Sequence, residues 1–253
     1  MTLTAIESKR LYQQVAEQLA AHIREGLWKE GERLPAERDL AQQLGVSRPS
    51  VREAMIALEL KGVVEVRMGA GIYVRGAFPE TGVTLVPPDE DPGPSPFDLM
   101  AARRLIEGET ASIAAGTIDE QGLAGLMAAI SHMEKDMELG VQNVTNSEDG
   151  DQLFHRRIAE CTNNMVLVSI VDQLWEGMRR PMFQTIADLL ALPGNARRAV
   201  ADHRMIVERI AARDPEGARR TMHAHLDQVS SWLMKDGVGG NGADDPDPPG
   251  GET

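Results

Sequence analysis

Cysteine is nearly absent: Cys161 is the sole thiol among 253 residues. No intramolecular disulfide can form, and no second thiol stands at metal-ligand spacing. Cys161 reads as an inert packed thiol beside helix-forming sequence. Aromatic residues amount to 4%, while Met and Ala are frequent and apolar residues recur three and four apart, a composition that favours helices over sheets. Long apolar runs are missing too. No window approaches 18 uninterrupted apolar residues, and the opening MTLTAIESKR holds none of signal length, so the sequence predicts neither export nor membrane insertion and a cytosolic location. No internal repeat is visible.

An excess of positive charge is also lacking, since the formal net charge is −13. That acidity is not evenly spread. Residues 1–76 hold 11 Lys/Arg and 10 Asp/Glu, which leaves 15 and 29 for the rest of the chain. A near-neutral N-terminal segment can still present a positive face where its arginines cluster, so whole-chain charge does not exclude nucleic acid.

The length suits two domains. KRLYQQVAEQLAAHIREG sets Leu11, Val15, Leu19 and Ile23 on one stripe of a helix. Pro35 is expected just inside a second helix that Gly45 ends, and Ser47 is expected to cap a third running to Gly62. VVEVRMGAGIYV then gives two β-prone arms around a glycine-bearing turn. Three helices and a terminal hairpin predict a winged helix-turn-helix over residues 1–76. Residues 77–96, rich in Pro, Gly and acids, read as a linker. Residues 97–236 predict an all-helical antiparallel bundle, with helices near 97–115, 119–140, 147–161, 165–191, 196–213 and 215–235. Residues 237–253, dominated by Gly, Pro and Asp, read as a disordered tail.

In a helix-turn-helix the second helix offers the polar residues of its first turns to DNA while its other face packs. Ser47, Arg48, Ser50 and Arg52 crowd that position, with Val51, Met55 and Leu58, and Ala54 beside them, as the inward stripe. Arginine suits guanine edges and serine suits phosphate or base, although a basic helix face is also a common solvated surface. The succession of a helix, LPAERDLAQQLGVSRPSVREAMIALELKG and VVEVRMGAGIYV resembles the GntR family of bacterial regulators across the first 75 residues. The resemblance implies DNA contacts at Arg38, Arg48, Ser50 and Arg52 and a wing tip at Gly69. Met68 departs from family members that carry histidine there, which leaves Arg67 as the wing residue for a phosphate.

In the second domain four polar residues fall on apolar helix faces. Asp151 and His155, four apart and hence about 40° apart around a helix, share a face with Phe154 and Ile158. His203 is in register with Ile206, Val207 and Ile210, and His225 with Met222, Leu226 and Val229. Arg213-Asp214-Pro215 marks a tight turn, and each of these histidines lies 11 residues from Asp214. An antiparallel helical hairpin therefore sets both imidazoles at one height, roughly 16 Å from the turn. Burying a carboxylate and three imidazoles is costly unless hydrogen bonds or a divalent metal offset it, and a metal accounts for all four together. Zinc is expected, with nickel and manganese as alternatives. His22, His132 and His223 lack the pattern and read as solvated side chains.

DQLFHRRIAECTNN, VADHRMIVERIAARDPEGARR and MHAHL resemble the FCD effector domain of the FadR-type subgroup. That resemblance implies a metal at Asp151, His155, His203 and His225 and a small carboxylate effector on its open positions. Arg103, on an apolar face with Leu99, Ile106 and Thr110, either clamps that carboxylate or pairs with Glu107 four residues on. Arg104 and Asn164 are further candidates to line the effector pocket, Arg179 and Arg180 weaker ones. Asn163 or Asn164 fits equally as a helix N-cap. PFDLMAARRLIEGE and LWEGMRRP lean toward regulators of sugar-acid catabolism. The expected molecule is a homodimeric repressor that a small acid releases from operator DNA. Two other readings are a regulator whose metal is purely structural and a metal-dependent hydrolase with a DNA-binding appendage, for which no additional acid or base is evident.

Overall fold

The computed structural model describes residues 10–67, 70–75, 92–138, 150–190 and 193–234. The wing tip with Met68 and Gly69, most of the expected linker and the tail lie outside the described residues. The structure forms two compact units, one carrying the elements up to the hairpin and the other spanning Pro92–Met234.

The first unit has α1 (Leu11–Arg24), α2 (Glu37–Leu44), α3 (Arg48–Leu60), β1 (Val64–Arg67) and β2 (Gly71–Val74). Tyr12, Val15, Leu19 and Ile23 of α1 pack with Val51, Met55, Ile56 and Leu58 of α3 in the core. Leu11 leaves the expected stripe and is 50% exposed, its place at the helix start being taken by Tyr12. Pro35 stands before the cap rather than inside α2, whose N-cap is the extended Ala36. Gly45 ends α2 at φ 66°, a left-handed conformation that glycine adopts without Cβ strain. Ser47 caps α3, its Oγ accepting from the Ser50 backbone N–H. The two arms pair antiparallel from Val64↔Val74 to Arg67↔Gly71. Leu34 N–H donates to Ile72 O and Val74 N–H to Glu32 O, so the segment before α2 edges the hairpin.

The second unit holds α4 (Pro96–Thr117), α5 (Glu120–Glu138), α6 (Gly150–Glu160), α7 (Met165–Met178), α8 (Pro181–Leu190), α9 (Pro193–Ala211) and α10 (Pro215–Met234). One expected helix, 165–191, is two. Pro181 has no N–H to give and disfavours the helical conformation at Arg180, so α7 stops at Met178 and α8 starts on the proline. α4 packs along α10, α5 against α6 and α9, and α7 against α4 and α6. Between α9 and α10 the turn at Arg213 (φ 52°) is tied by the Asp214 carboxylate, which accepts from the Gly217 N–H. His223 is not merely solvated: its ring packs directly on Gly108 of α4, where a Cβ would overlap it, and its Nε2 is buried.

Candidate functional site

Three helices of the bundle bring the predicted imidazoles together. His155 comes from the buried face of α6, His203 from α9 and His225 from α10, and all three are at most 4% exposed. The α9–α10 turn sets the last two level, with His203 Nε2 3.2 Å from His225 Nε2. One turn before His155, Asp151 places Oδ1 3.4 Å from His155 Nε2 and 3.3 Å from His203 Nε2. The three imidazoles each offer a ring nitrogen within 4.8 Å of the others. Phe154 lies 4.4 Å from His203, centroid to centroid, and Trp175 5.5 Å from His155, so rings screen the cluster from water.

The outer nitrogens of two of the rings are oriented by carboxylates. His155 Nδ1 meets Glu107 Oε2 at 2.5 Å, and His225 Nδ1 lies 3.4 Å from Asp202 Oδ2. This is the arrangement in which carboxylates fix the tautomer and ring direction of ligating histidines and leave Nε2 for an ion. Burial works against ionised Glu107, but Arg103 and His155 outweigh it and hold its pKa down to about 2. Burial likewise opposes the Asp151 charge, yet the hydrogen bond from His155 and the electrostatic pull of the His203 and His155 rings keep it far below the usual carboxylate range. Burial, reinforced by His225, pushes His203 well below the ordinary imidazole value. Burial also lowers His225 although Asp202 pulls the other way. His155 goes up, because Glu107 and Asp151 overcome its desolvation. Two neutral imidazoles, a third displaceable proton and an ionised carboxylate around one point are a donor set suited to a borderline divalent ion.

The candidate effector residues fare differently. Of the two alternatives for Arg103, the ion pair forms: Nε and Nη2 donate to Glu107 at 2.6 and 3.2 Å, and the guanidinium lies 4.5 Å over the Trp175 ring. Arg104 is corrected. It is exposed and bonded to Asp227 of α10 at 2.6 and 3.1 Å, because it sits one residue, about 100°, away from the face that Arg103 buries. Asn164 is corrected likewise: it is exposed and caps α7, its Oδ1 accepting from the Val166 N–H. Arg179, the C-cap of α7, bonds Gln152. Glu107 and Asp202 are the functional partners that sequence reasoning missed as imidazole partners. The available signal was Glu107 four residues after a buried arginine, and Asp202 beside His203.

In the first unit Arg38 is 83% exposed, and Ser47, Arg48 and Ser50 stand at the start of α3, where the two serine hydroxyls lie 2.8 Å apart. Arg67 is exposed on the wing, 3.1 Å from Glu65 and over the Tyr73 ring. Arg52 departs from the expected DNA face. It is 1% exposed and binds Glu37 of α2 through Nε at 2.9 Å and Nη2 at 2.7 Å. Four residues beyond Arg48, it turns inward with Met55 and Ile56 and reaches Glu37 of α2 rather than solvent.

Residues 11–74 match the gntR family of bacterial regulatory proteins and residues 98–228 match the FCD domain. The Uxu operon transcriptional regulator of Escherichia coli (strain K12) is 34% identical over 233 residues, covering 92% of this chain and 90% of that protein. The chain belongs to the gntR family. The Exu regulon transcriptional regulator of the same strain is also 34% identical, over 91% of this chain and 87% of its own length. Among solved structures, E. coli McbR/YncC is 22% identical with a TM-score of 0.47, over 90% of this chain and 98% of that one. As a gntR-family protein with an FCD domain, the chain is a transcriptional regulator and not an enzyme, which removes the hydrolase reading. Its winged helix implies operator DNA as a partner and its FCD domain a small-molecule effector. No helix among the described residues is long and apolar enough to cross a membrane.

Proposed function

We propose that this regulator is a homodimeric repressor that leaves its operator when a small carboxylate, of the sugar-acid class, binds in the helical domain beside a divalent metal. The observation that carries the reading is the convergence of His155, His203 and His225, with Asp151 against the first two and the outer nitrogens of two imidazoles steered by carboxylates. His155, His203 and His225 would hold the ion with Asp151 adjoining, and the ion would supply open positions for an acid's oxygens. Glu107 and Asp202 keep the rings aimed, Phe154 and Trp175 keep water out, and Arg103 braces Glu107. The names of the Uxu and Exu relatives and the sequence resemblance to sugar-acid regulators support the effector class. Arg38, Ser47, Arg48, Ser50 and Arg67, with Gly69 at the wing, are the residues proposed to meet DNA. Domain limits of 1–76, 97–236 and a linker between them are part of the same proposal.

An acid can act only by binding the DNA-free arrangement of the dimer better than the DNA-competent one. The test is operator binding by zinc-loaded protein on the DNA upstream of its own gene, titrated with sugar acids and small hydroxy acids beside His203→Ala. The expected result is that one acid releases wild-type protein while the variant binds DNA and ignores the acid. If no acid and no substitution alters DNA binding, the metal is structural and this account of the second domain is wrong.

A further inference from the structure

Trp175 is 1% exposed, and its indole Nε1 is buried with no hydrogen-bond acceptor among the described residues. Buried donors in folded proteins nearly always find an acceptor, so a tryptophan that gives its N–H to nothing among the described residues points to an acceptor supplied by a bound molecule. The place of the ring says which molecule. Its centroid is 5.5 Å from that of His155, and the Arg103 guanidinium carbon is 4.5 Å from it. The indole that carries the orphan donor therefore packs beside the His155–His203–His225 cluster, with its ring centre one short carbon chain's length from His155.

The charges of that wall narrow the ligand further. Arg103 has two of its nitrogens on Glu107, and its Nη1 faces only thioethers, Met178 Sδ at 3.1 Å and Met100 Sδ at 3.9 Å. The Arg103 charge that lies over Trp175 is thus already balanced by Glu107, and a second carboxylate placed there would be a buried anion competing with Glu107 for it. A hydrocarbon tail would leave the N–H as orphaned as before. A neutral oxygen meets both conditions.

We propose that Trp175 selects hydroxyl-bearing acids: with the carboxylate of the effector at the histidine cluster, a hydroxyl oxygen further along the molecule accepts the hydrogen bond from Trp175 Nε1. This rests on the reading above that the domain binds a small acid, and it adds the group that tells a sugar acid from a plain fatty acid or a dicarboxylate.

Trp175→Phe keeps an aromatic ring against Arg103 and His155 and deletes the N–H. Zinc-loaded wild type and variant are compared by calorimetry with glucuronate, gluconate and lactate, with acetate to hexanoate, and with succinate. The expected result is about tenfold weaker binding of the hydroxylated acids by the variant, equal binding of zinc and no change for the acids without hydroxyls. The chain has three tryptophans. The indole N–H resonance missing from the variant identifies Trp175, and it should move downfield with a bound hydroxy acid only. Equal affinity of both proteins for hydroxy acids with that resonance unmoved overturns the proposal, as does an equal loss for every acid, which marks a packing role. A preference of the wild type for acids without hydroxyls overturns it too. If wild-type protein binds no acid at all, the failure lies with the effector reading itself, and this inference goes with it.

Discussion

Asp202 and His225 stand on adjacent helices, 23 residues apart, with the carboxylate Oδ2 3.4 Å from the imidazole Nδ1. Asp202 follows the hydrophilic edge of α9, one residue from His203, and its side chain keeps 15% of its surface. It can therefore be changed at little cost to the core. Asp202→Asn removes the charge that fixes the His225 tautomer and keeps the shape. The expected outcome is zinc affinity reduced about 10–100-fold, the range found for outer carboxylates of histidine sites, with helical content unchanged. Competition with a chromophoric chelator measures it, and undiminished affinity would show that Asp202 does not orient His225.

Arg52 and Glu37 form a bidentate pair with 1% and 3% side-chain exposure. Removing one partner strands a charge in the core, so Arg52→Ala or Glu37→Ala should each lower stability by about 3–5 kcal/mol in urea denaturation. The double change Glu37→Met and Arg52→Met removes both charges and should recover most of that loss. Operator binding by the folded double variant then separates two roles. Arg52 as a brace between α2 and α3 predicts affinity within a few fold of wild type. A folded variant that no longer binds would mean that Arg52 leaves Glu37 to reach DNA.

Much of this architecture was legible in residue spacing. Equal offsets of His203 and His225 from Asp214 placed two imidazoles side by side, and the i, i+4 step from Asp151 to His155 aimed both inward. The polar start of α3 and the two β-prone arms gave the winged helix in the same way. What spacing does not carry is the partner of a charged residue across helices. Arg52 and Arg104 sit in basic runs that look alike in sequence, yet one is buried on Glu37 and the other lies exposed on Asp227. The break at Pro181 was masked by apolar residues that continue the helical period on both sides of it. Local periodicity fixes which face is buried, whereas pairing depends on tertiary approach.

Ser47 has two duties that substitutions can separate. Its Oγ accepts from the Ser50 N–H at the start of α3, and the same hydroxyl is exposed where DNA is proposed to bind. Ser47→Ala should cost about 1 kcal/mol of stability through loss of the cap. Ser47→Asp keeps a capping oxygen and adds negative charge at the positive end of the helix dipole, so stability should be held. Toward DNA the same charge repels phosphate. The expected pattern is a destabilised alanine variant and a stable aspartate variant with the larger loss of operator affinity, read by thermal melts and gel shift. Full affinity in the aspartate variant would remove Ser47 from the DNA face.

Glu59 gives the first unit a pH dependence of its own. Its Oε1 accepts from the Val66 N–H at 3.0 Å, joining α3 to β1, but partial burial of the carboxyl raises its pKa above the ordinary value of 4.5. The backbone hydrogen bond and Arg75 oppose that rise without cancelling it. Because the folded state holds this proton more tightly than the unfolded one, stability from Glu59 is fully present below its unfolded pKa and is lost as pH rises through the folded value. Glu59→Gln retains the acceptor for Val66 and cannot ionise. The stability of the variant relative to wild type should therefore increase as pH climbs from below 4.5 toward neutrality and then stay level. Paired urea titrations across that interval measure the difference, in which the titration of every other group shared by the two proteins cancels. A difference that stays flat with pH would mean that the hydrogen bond from Val66 compensates burial in full.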